Sequence, residues 1–392
     1  MIQPSSWRIN NVNIVSEDRV IEGTVTVENG LITALEAGHP VTNEANAEDI
    51  PTYDGQGGYL LPGFIDMHAH GGFGSDFMDA EHNAYDTITR FHAQHGTTGM
   101  LATTMTAPQE DIEAVLACVA EYQSKQMPYA ALLGVHLEGP FISPKWPGAQ
   151  NPAYIVTPQK DWIQSWNRRW PALIRQLTLA PESEGALEMI AWLKENGIIA
   201  AAGHTDADYD TVKQAAAHGL TQAVHTYNAM TPLHHRHPGT VGAVLTIDSI
   251  CAELIADGHH VHPAAIQLLA RAKPEHQLVL ITDAMSAAGL GDGDYQLGGL
   301  EVTVSKGIAR LQEGGNLAGS TLTMIGAVRY MRDNTDLSIS QISRLASSNP
   351  AKRLGIWDRT GSIQAGKQAD LVWTDEDLNI QQTWVKGRQI MN

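Results

Sequence analysis

Two histidines, His68 and His70, stand two residues apart at the end of an apolar run in PGFIDMHAH. Residues two apart in an extended segment project to the same side, so both imidazoles can meet one ion. Three more residues of metal-ligating type end comparable runs: Glu138 in GVHLEGPF, His204 in AAAGHT and His225 in AVHTYNAM. Imidazole and carboxylate ligands without thiolate suit Zn²⁺ or another divalent first-row metal, with positions left open for water and substrate. Asp283, in LVLITDAM, then sits where a carboxylate could take a proton from water; its plainer reading is a helix N-cap.

Eight apolar, β-rich runs carry or lie among these residues, at 60–67, 98–103, 131–137, 174–179, 198–202, 222–225, 250–256 and 278–282. Helix patterns separate them at 86–94, 109–124, 186–195 and 209–218, several ended by the glycines favoured after a helix, Gly96, Gly197 and Gly219. Strand and helix in alternation, repeated eight times, predict a parallel (β/α)8 barrel. Barrel enzymes place their chemistry at the C-terminal ends of the strands, where these metal-type residues fall.

The flanks read differently. Short β segments are predicted at 7–15, 23–28 and 31–35, the last after an Asn29-Gly30 hairpin signal. After the eighth run the pattern is β again around Gly298-Gly299 and Gly314-Gly315, then helical at 322–331 and 340–346. Tail segments 361–363, 369–373 and 383–385 are placed to pair with the N-terminal strands. The expected organisation is an accessory β unit from 1–57 and 351–392 around a barrel of 58–350.

Composition narrows the partners. With 43 acidic against 25 basic residues and a net charge of −18, nucleic acid and anionic membranes are excluded as natural partners. An anionic substrate would need a local cation against that field, which draws notice to Arg236. Cys118 and Cys251 form neither a disulfide framework nor a thiolate metal site, and no leader or membrane-spanning run is present, so a cytoplasmic protein is expected.

Taken together, PGFIDMHAHGG, HLEGPF, GAQNPAYI, AAGHTDA, HTYNAMTPLHHRHPG, IADGHHV, LITDAM, LAGS and GSIQAGKQADLV resemble the N-acetylglucosamine-6-phosphate deacetylase family of the amidohydrolase superfamily over nearly the whole chain. The resemblance implies a TIM-type barrel with a small β-sandwich domain built from both ends, a homodimer, and hydrolysis of an acetamide on an amino sugar phosphate. It matches Glu138, His204 and His225 to the principal metal ligands and Asp283 to the catalytic acid and base. His68 and His70 resemble the first motif of two-metal relatives, so one or two divalent ions, with zinc the first choice, are expected.

Sugar contacts carry over to Ala149, Asn228, Ala229, His260, Leu317, Ala318 and Gly319, and the phosphate ligand to Arg236, which in the family reaches the neighbouring subunit's substrate. A guanidinium fork suits phosphate oxygens. Gln150 is a departure, standing where many relatives carry a histidine thought to polarise the substrate carbonyl; an amide donates a hydrogen bond but cannot become cationic. The remaining histidines are read plainly: His82, His92, His95, His218 and His276 as surface or packing residues, His234, His235 and His237 as loop residues, His259 and His262 as neighbours of His260.

Other readings stay open at this stage. A cyclic amidase is disfavoured because the fourth run ends in LAPES without a bridging lysine. The galacto isomer of the substrate is not separated by any motif, and a catalytically silent barrel is opposed by the intact ligand set.

Overall fold

The computed structural model describes residues 6–38 and 50–391. Eight strands form one parallel sheet in chain order: β1 (Phe64–Asp66), β2 (Thr97–Thr104), β3 (Ala131–Glu138), β4 (Ile174–Leu179), β5 (Ile199–Ala202), β6 (Leu220–Ala223), β7 (Cys251–Ile255) and β8 (Leu278–Ile281). Their residues are almost all buried, as strands covered on both faces must be. β4 and β5 pair Gln176 with Ile199 and Leu179 with Ala202; β7 and β8 pair Ala252 with Leu278 and Ile255 with Ile281.

The first and last strands meet through a side chain rather than a regular ladder. Asp66 accepts from the Thr282 hydroxyl at 2.6 Å and from its backbone N–H at 3.3 Å. Beyond the strand ends the Asp283 N–H donates to the His68 carbonyl and the His70 N–H to that of Ala284, each at 2.8 Å. This seam closes the (β/α)8 barrel and ties the His68–His70 segment to Asp283.

Crossover helices follow the predicted rhythm. Those at Ala186–Glu195 and Tyr209–His218 have the expected bounds; the second starts where the Asp208 side chain accepts from Thr211 N–H and stops at Gly219. Helices at Lys160–Arg169, Gly239–Thr246 and Pro263–Ala272 lie outside the segments expected to be helical. The segment expected at 340–346 runs Ile339–Ser343, one π turn, then Asn349–Arg353. No helix among the described residues is long and apolar enough to cross a membrane.

The run expected at 60–67 divides at Gly63. Tyr59–Pro62 joins the second sheet, between Leu371–Thr374 and Trp7–Val15, and only Phe64–Asp66 enters the barrel. Ile380–Val385 and Arg388–Gln389 extend that sheet on one side, Val20–Glu28 and Leu31–Ala37 on the other, so both chain ends build it. Asn29 and Gly30 make its expected tight turn with φ of 53° and 79°. The tail segment 361–363 is not a strand, although Ile363 packs in the same core as Trp7 and Trp384, whose rings stack at 4.2 Å. After β8 an antiparallel meander, Gly293–Leu297, Leu300–Ser305 and Ile308–Leu311, returns the chain to the barrel mouth at Asn316 to Ser320.

Candidate active site

One geometric rule places most of the site. Glu138 is the last residue of β3, while His68, His204, His225 and Asp283 each stand two residues beyond the end of β1, β5, β6 and β8. Here the chain turns off the barrel, and His204, His225 and Asp283 take left-handed backbone with φ of 47°, 27° and 51°. Such conformations cost a non-glycine residue on the order of 1–3 kcal/mol and survive where surrounding contacts over-determine them. Two glycines make room: a Cβ at Gly148 would come 3.1 Å from the His204 ring, and one at Gly319 3.0 Å from the Asp283 carbonyl.

Glu138 is the hub. Its Oε1 lies 3.0 Å from His225 Nε2, 3.2 Å from His68 Nε2 and 3.3 Å from His204 Nε2; its Oε2 lies 3.2 Å from His70 Nε2. Asp283 Oδ1 is 3.3 Å from His70 Nε2 and 3.5 Å from His68 Nε2. The six side chains thus fall into two triads, Glu138 with His204 and His225, and Asp283 with His68 and His70, the ligating atoms of each within 4.8 Å of one another.

Three of the four imidazoles are oriented from behind, while the buried Nδ1 of His70 has no hydrogen-bond partner. His204 Nδ1 is 3.0 Å from the Trp146 carbonyl, His225 Nδ1 3.2 Å from that of Asn228, and His68 Nδ1 3.0 Å from Glu253 Oε2. Carbonyls and carboxylates only accept, so each Nδ1 carries the proton and each Nε2 lone pair faces inward, the arrangement of metal-ligating histidines. His68 Nε2 is buried and has no hydrogen-bond partner. An orphaned acceptor beside two carboxylates fits a divalent cation, as does the all-nitrogen-and-oxygen donor set.

Electrostatics points the same way. Burial disfavours charge on His68 and His70, yet the Glu138 and Asp283 carboxylates outweigh it and raise both, His70 to about 9. Burial equally opposes ionisation of Glu138 and Asp283, but the imidazoles around them hold Glu138 well below the usual carboxylate range and Asp283 below its own. The pocket favours carboxylates in their charged form with positive charge between them.

Above the hub opens a cavity of about 420 Å³. Of the expected sugar contacts, Ala149, Asn228, Ala229, His260, Leu317 and Gly319 line it, while Ala318 is fully buried behind them. His260 pairs through Nδ1 with Asp257 Oδ2 at 2.6 Å. Gln150 is locked at both ends, its Oε1 accepting from Thr106 N–H at 2.7 Å and its Nε2 donating to Glu138 Oε2 at 2.6 Å. Arg236 does not reach its own chain's cavity; it borders a separate depression with Asp206, Tyr209 and Pro238, beside exposed His235.

Several residues here carried no expectation. Lys145, Trp146 and Asn316 line the cavity, and Asp206 holds Lys145 Nζ at 2.6 Å and Trp146 Nε1 at 2.9 Å. Glu253 lies wholly buried on β7; a carboxylate inside the apolar run ICAELIA was the signal that could have found it. Of the remaining histidines, His92 is fully buried and hydrogen-bonded to the Gly71 carbonyl.

Residues 59–390 match the sequence pattern of the Amidohydrolase family. The chain belongs to the amidohydrolase family. This amidohydrolase is 42% identical over 386 residues to N-acetylglucosamine-6-phosphate deacetylase of Bacillus subtilis (strain 168), covering 97% of this chain and 96% of that one. It is 40% identical over 362 residues to N-acetylgalactosamine-6-phosphate deacetylase of Escherichia coli O157:H7, covering 92% and 93%. Its fold is similar, with a TM-score of 0.92 at 31% identity, to a mutant N-acetyl-D-glucosamine-6-phosphate deacetylase from Mycobacterium smegmatis in complex with N-acetyl-D-glucosamine-6-phosphate, over 99% of this chain and all of that one. The amidohydrolase and the deacetylase kinship are those the HLEGPF, HTYNAM and LITDAM motifs pointed to.

Proposed function

We propose that the chain hydrolyses the acetamide of N-acetyl-D-glucosamine 6-phosphate, giving D-glucosamine 6-phosphate and acetate. The observation that carries this reading is the pair of triads on the floor of a sugar-sized cavity, with Asp283 facing that cavity and its Oδ1 3.3 Å from His70 Nε2. Glu138, His204 and His225 would hold a divalent ion, zinc in our reading, and His68, His70 and Asp283 offer a place for a second. A bound ion supplies Lewis acidity toward water and the acetyl carbonyl.

The chain's own groups do the rest. Asp283, held ionised by its imidazole neighbours, takes a proton from the attacking water and returns it to the leaving sugar nitrogen. Gln150 has one N–H committed to Glu138, while its second faces only the weak acceptor Met105 Sδ at 3.9 Å and can turn to the carbonyl oxygen, polarising the acetyl group without being charged. Asn228, Ala229, His260, Leu317, Ala318 and Gly319 form the sugar's surroundings, directly or from behind. Arg236, outside its own cavity, binds the phosphate of the neighbouring protomer in a homodimer. Two buried, unbridged cysteines accord with a reducing, cytoplasmic setting.

The galacto isomer is the second reading, favoured by the near-equal similarity to an N-acetylgalactosamine-6-phosphate deacetylase. Acetate release from the two N-acetylhexosamine 6-phosphates and from unphosphorylated N-acetylglucosamine separates the alternatives. The gluco phosphate should give the highest kcat/KM; a higher value for the galacto phosphate reverses the assignment, and no release from any of the three refutes deacetylation.

A further inference from the structure

Beneath the site the barrel strands carry a buried polar group, a local departure from the aliphatic layers that normally fill a barrel. Glu253 on β7 is fully buried and receives three hydrogen bonds: from His68 Nδ1 at 3.0 Å, and from Gln176 Nε2 and Gln222 Nε2 at 2.7 Å each. Gln222 in turn accepts from Arg353 Nε at 3.0 Å, at the opposite end of the barrel. Among the described residues no lysine or arginine pairs with Glu253 itself. A buried carboxylate served only by neutral amides and one imidazole is costly unless positive charge lies nearby. The open direction is through His68, whose Nε2 has no hydrogen-bond partner and points at Glu138 and Asp283.

We infer that Glu253 is a positioning residue that commits His68 to the metal centre, fixing its Nδ1–H tautomer and setting the affinity of the ion held by His68, His70 and Asp283. Because the carboxylate can only accept, it excludes the tautomer that would turn an N–H toward the ion, and its charge makes Nε2 a stronger donor. His204 and His225 lean instead on neutral backbone carbonyls. Glu253 therefore acts selectively on the His68 triad. The inference rests on the reading that this triad takes an ion.

The test uses full-length wild type, Glu253→Gln and Gln222→Leu, stripped with chelator and titrated with Zn²⁺ against a competing chelating dye. Bound metal per chain and the melting temperature of each metal-free form are measured. Wild type should take two ions. Glu253→Gln should bind the first as wild type does and the second about 10- to 100-fold more weakly, the metal-free melting temperature reporting separately on the fold. Gln222→Leu, which leaves carboxylate and imidazole in place, should keep both affinities. Wild-type affinities at both positions in Glu253→Gln overturn the inference alone, as does an equal weakening of both ions with a lowered melting temperature, or a matching loss in Gln222→Leu. A wild type that saturates at one ion overturns the two-ion reading and the inference with it.

Discussion

The Nε2 atoms of His204 and His225 stand 3.1 Å apart, each imidazole tethered through Nδ1 to a backbone carbonyl on its far side. Two lone pairs turned toward one another repel unless a cation lies between them. Ligands at about 2.1 Å around a tetrahedral ion are separated by about 3.4 Å, close to this spacing and to the 3.0 and 3.3 Å from these nitrogens to Glu138 Oε1. The backbone tethers hold that geometry.

Asp283→Asn should keep the fold and the first ion, because Glu138, His204 and His225 are untouched. Turnover should fall by at least about 100-fold, the scale of a lost general base, with little change in KM. Steady-state kinetics on samples of known metal content decide it; near-normal kcat removes Asp283 from proton transfer.

Gln150→Ala removes the amide that donates to Glu138 Oε2 and accepts from Thr106 N–H. Hydrogen bonds to charged groups contribute about 1.5–3 kcal/mol, so kcat should drop by on the order of tenfold or more. Turnover equal to wild type in a sample holding a single ion would show that the amide takes no part in polarising the carbonyl.

Arg236→Ala should raise KM for the phosphorylated sugar and leave the unphosphorylated one unaffected. Because Arg236 borders a depression away from its own cavity, mixing Arg236→Ala with Asp283→Asn protomers should restore acetate release, each hybrid having one site with both residues intact. A mixture no more active than its parts would place Arg236 in its own chain's site or outside phosphate binding.

His92, bonded to the Gly71 carbonyl next to His70, gives the fold a pH dependence. Burial pushes its pKa down to about 4 from the ordinary 6.5 of an imidazole, its Nε2–H donating to the Gly71 carbonyl. Between those values the unfolded chain binds a proton that the folded chain refuses, so stability falls as pH drops through this window. The loss approaches about 3 kcal/mol below pH 4 and about 2 kcal/mol at pH 5. His92→Gln, with a neutral amide able to reach Gly71, should lose less between pH 7 and pH 5 in denaturant unfolding; parallel curves for the two proteins would contradict the assignment.

Much of this architecture is legible in the sequence because it is local. The helices at Ala186–Glu195 and Tyr209–His218 and the strand Ile174–Leu179 are bounded by glycines, caps and apolar runs that act over a few residues. Glu138, His204, His225 and Asp283 were legible by their position just past such runs. The division of 60–67 was not, because Leu371–Thr374 recruits Tyr59–Pro62 from across the chain. Lys160–Arg169 is too polar for its helix to stand out, with only Ile163 and Trp166 buried. Glu253, Gln176 and Gln222 each look like a stray polar residue in a strand until the closed barrel turns them toward one another.

The central claim is that the Glu138, His204 and His225 triad holds an ion needed to release acetate. Chelator-stripped protein should be assayed on N-acetylglucosamine 6-phosphate while Zn²⁺ is restored stepwise and bound metal is counted. Acetate release should be absent without metal and rise with the first ion bound, and Glu138→Ala should stay inactive at every metal concentration. Metal-free protein that turns over at the rate of the restored enzyme would contradict the account.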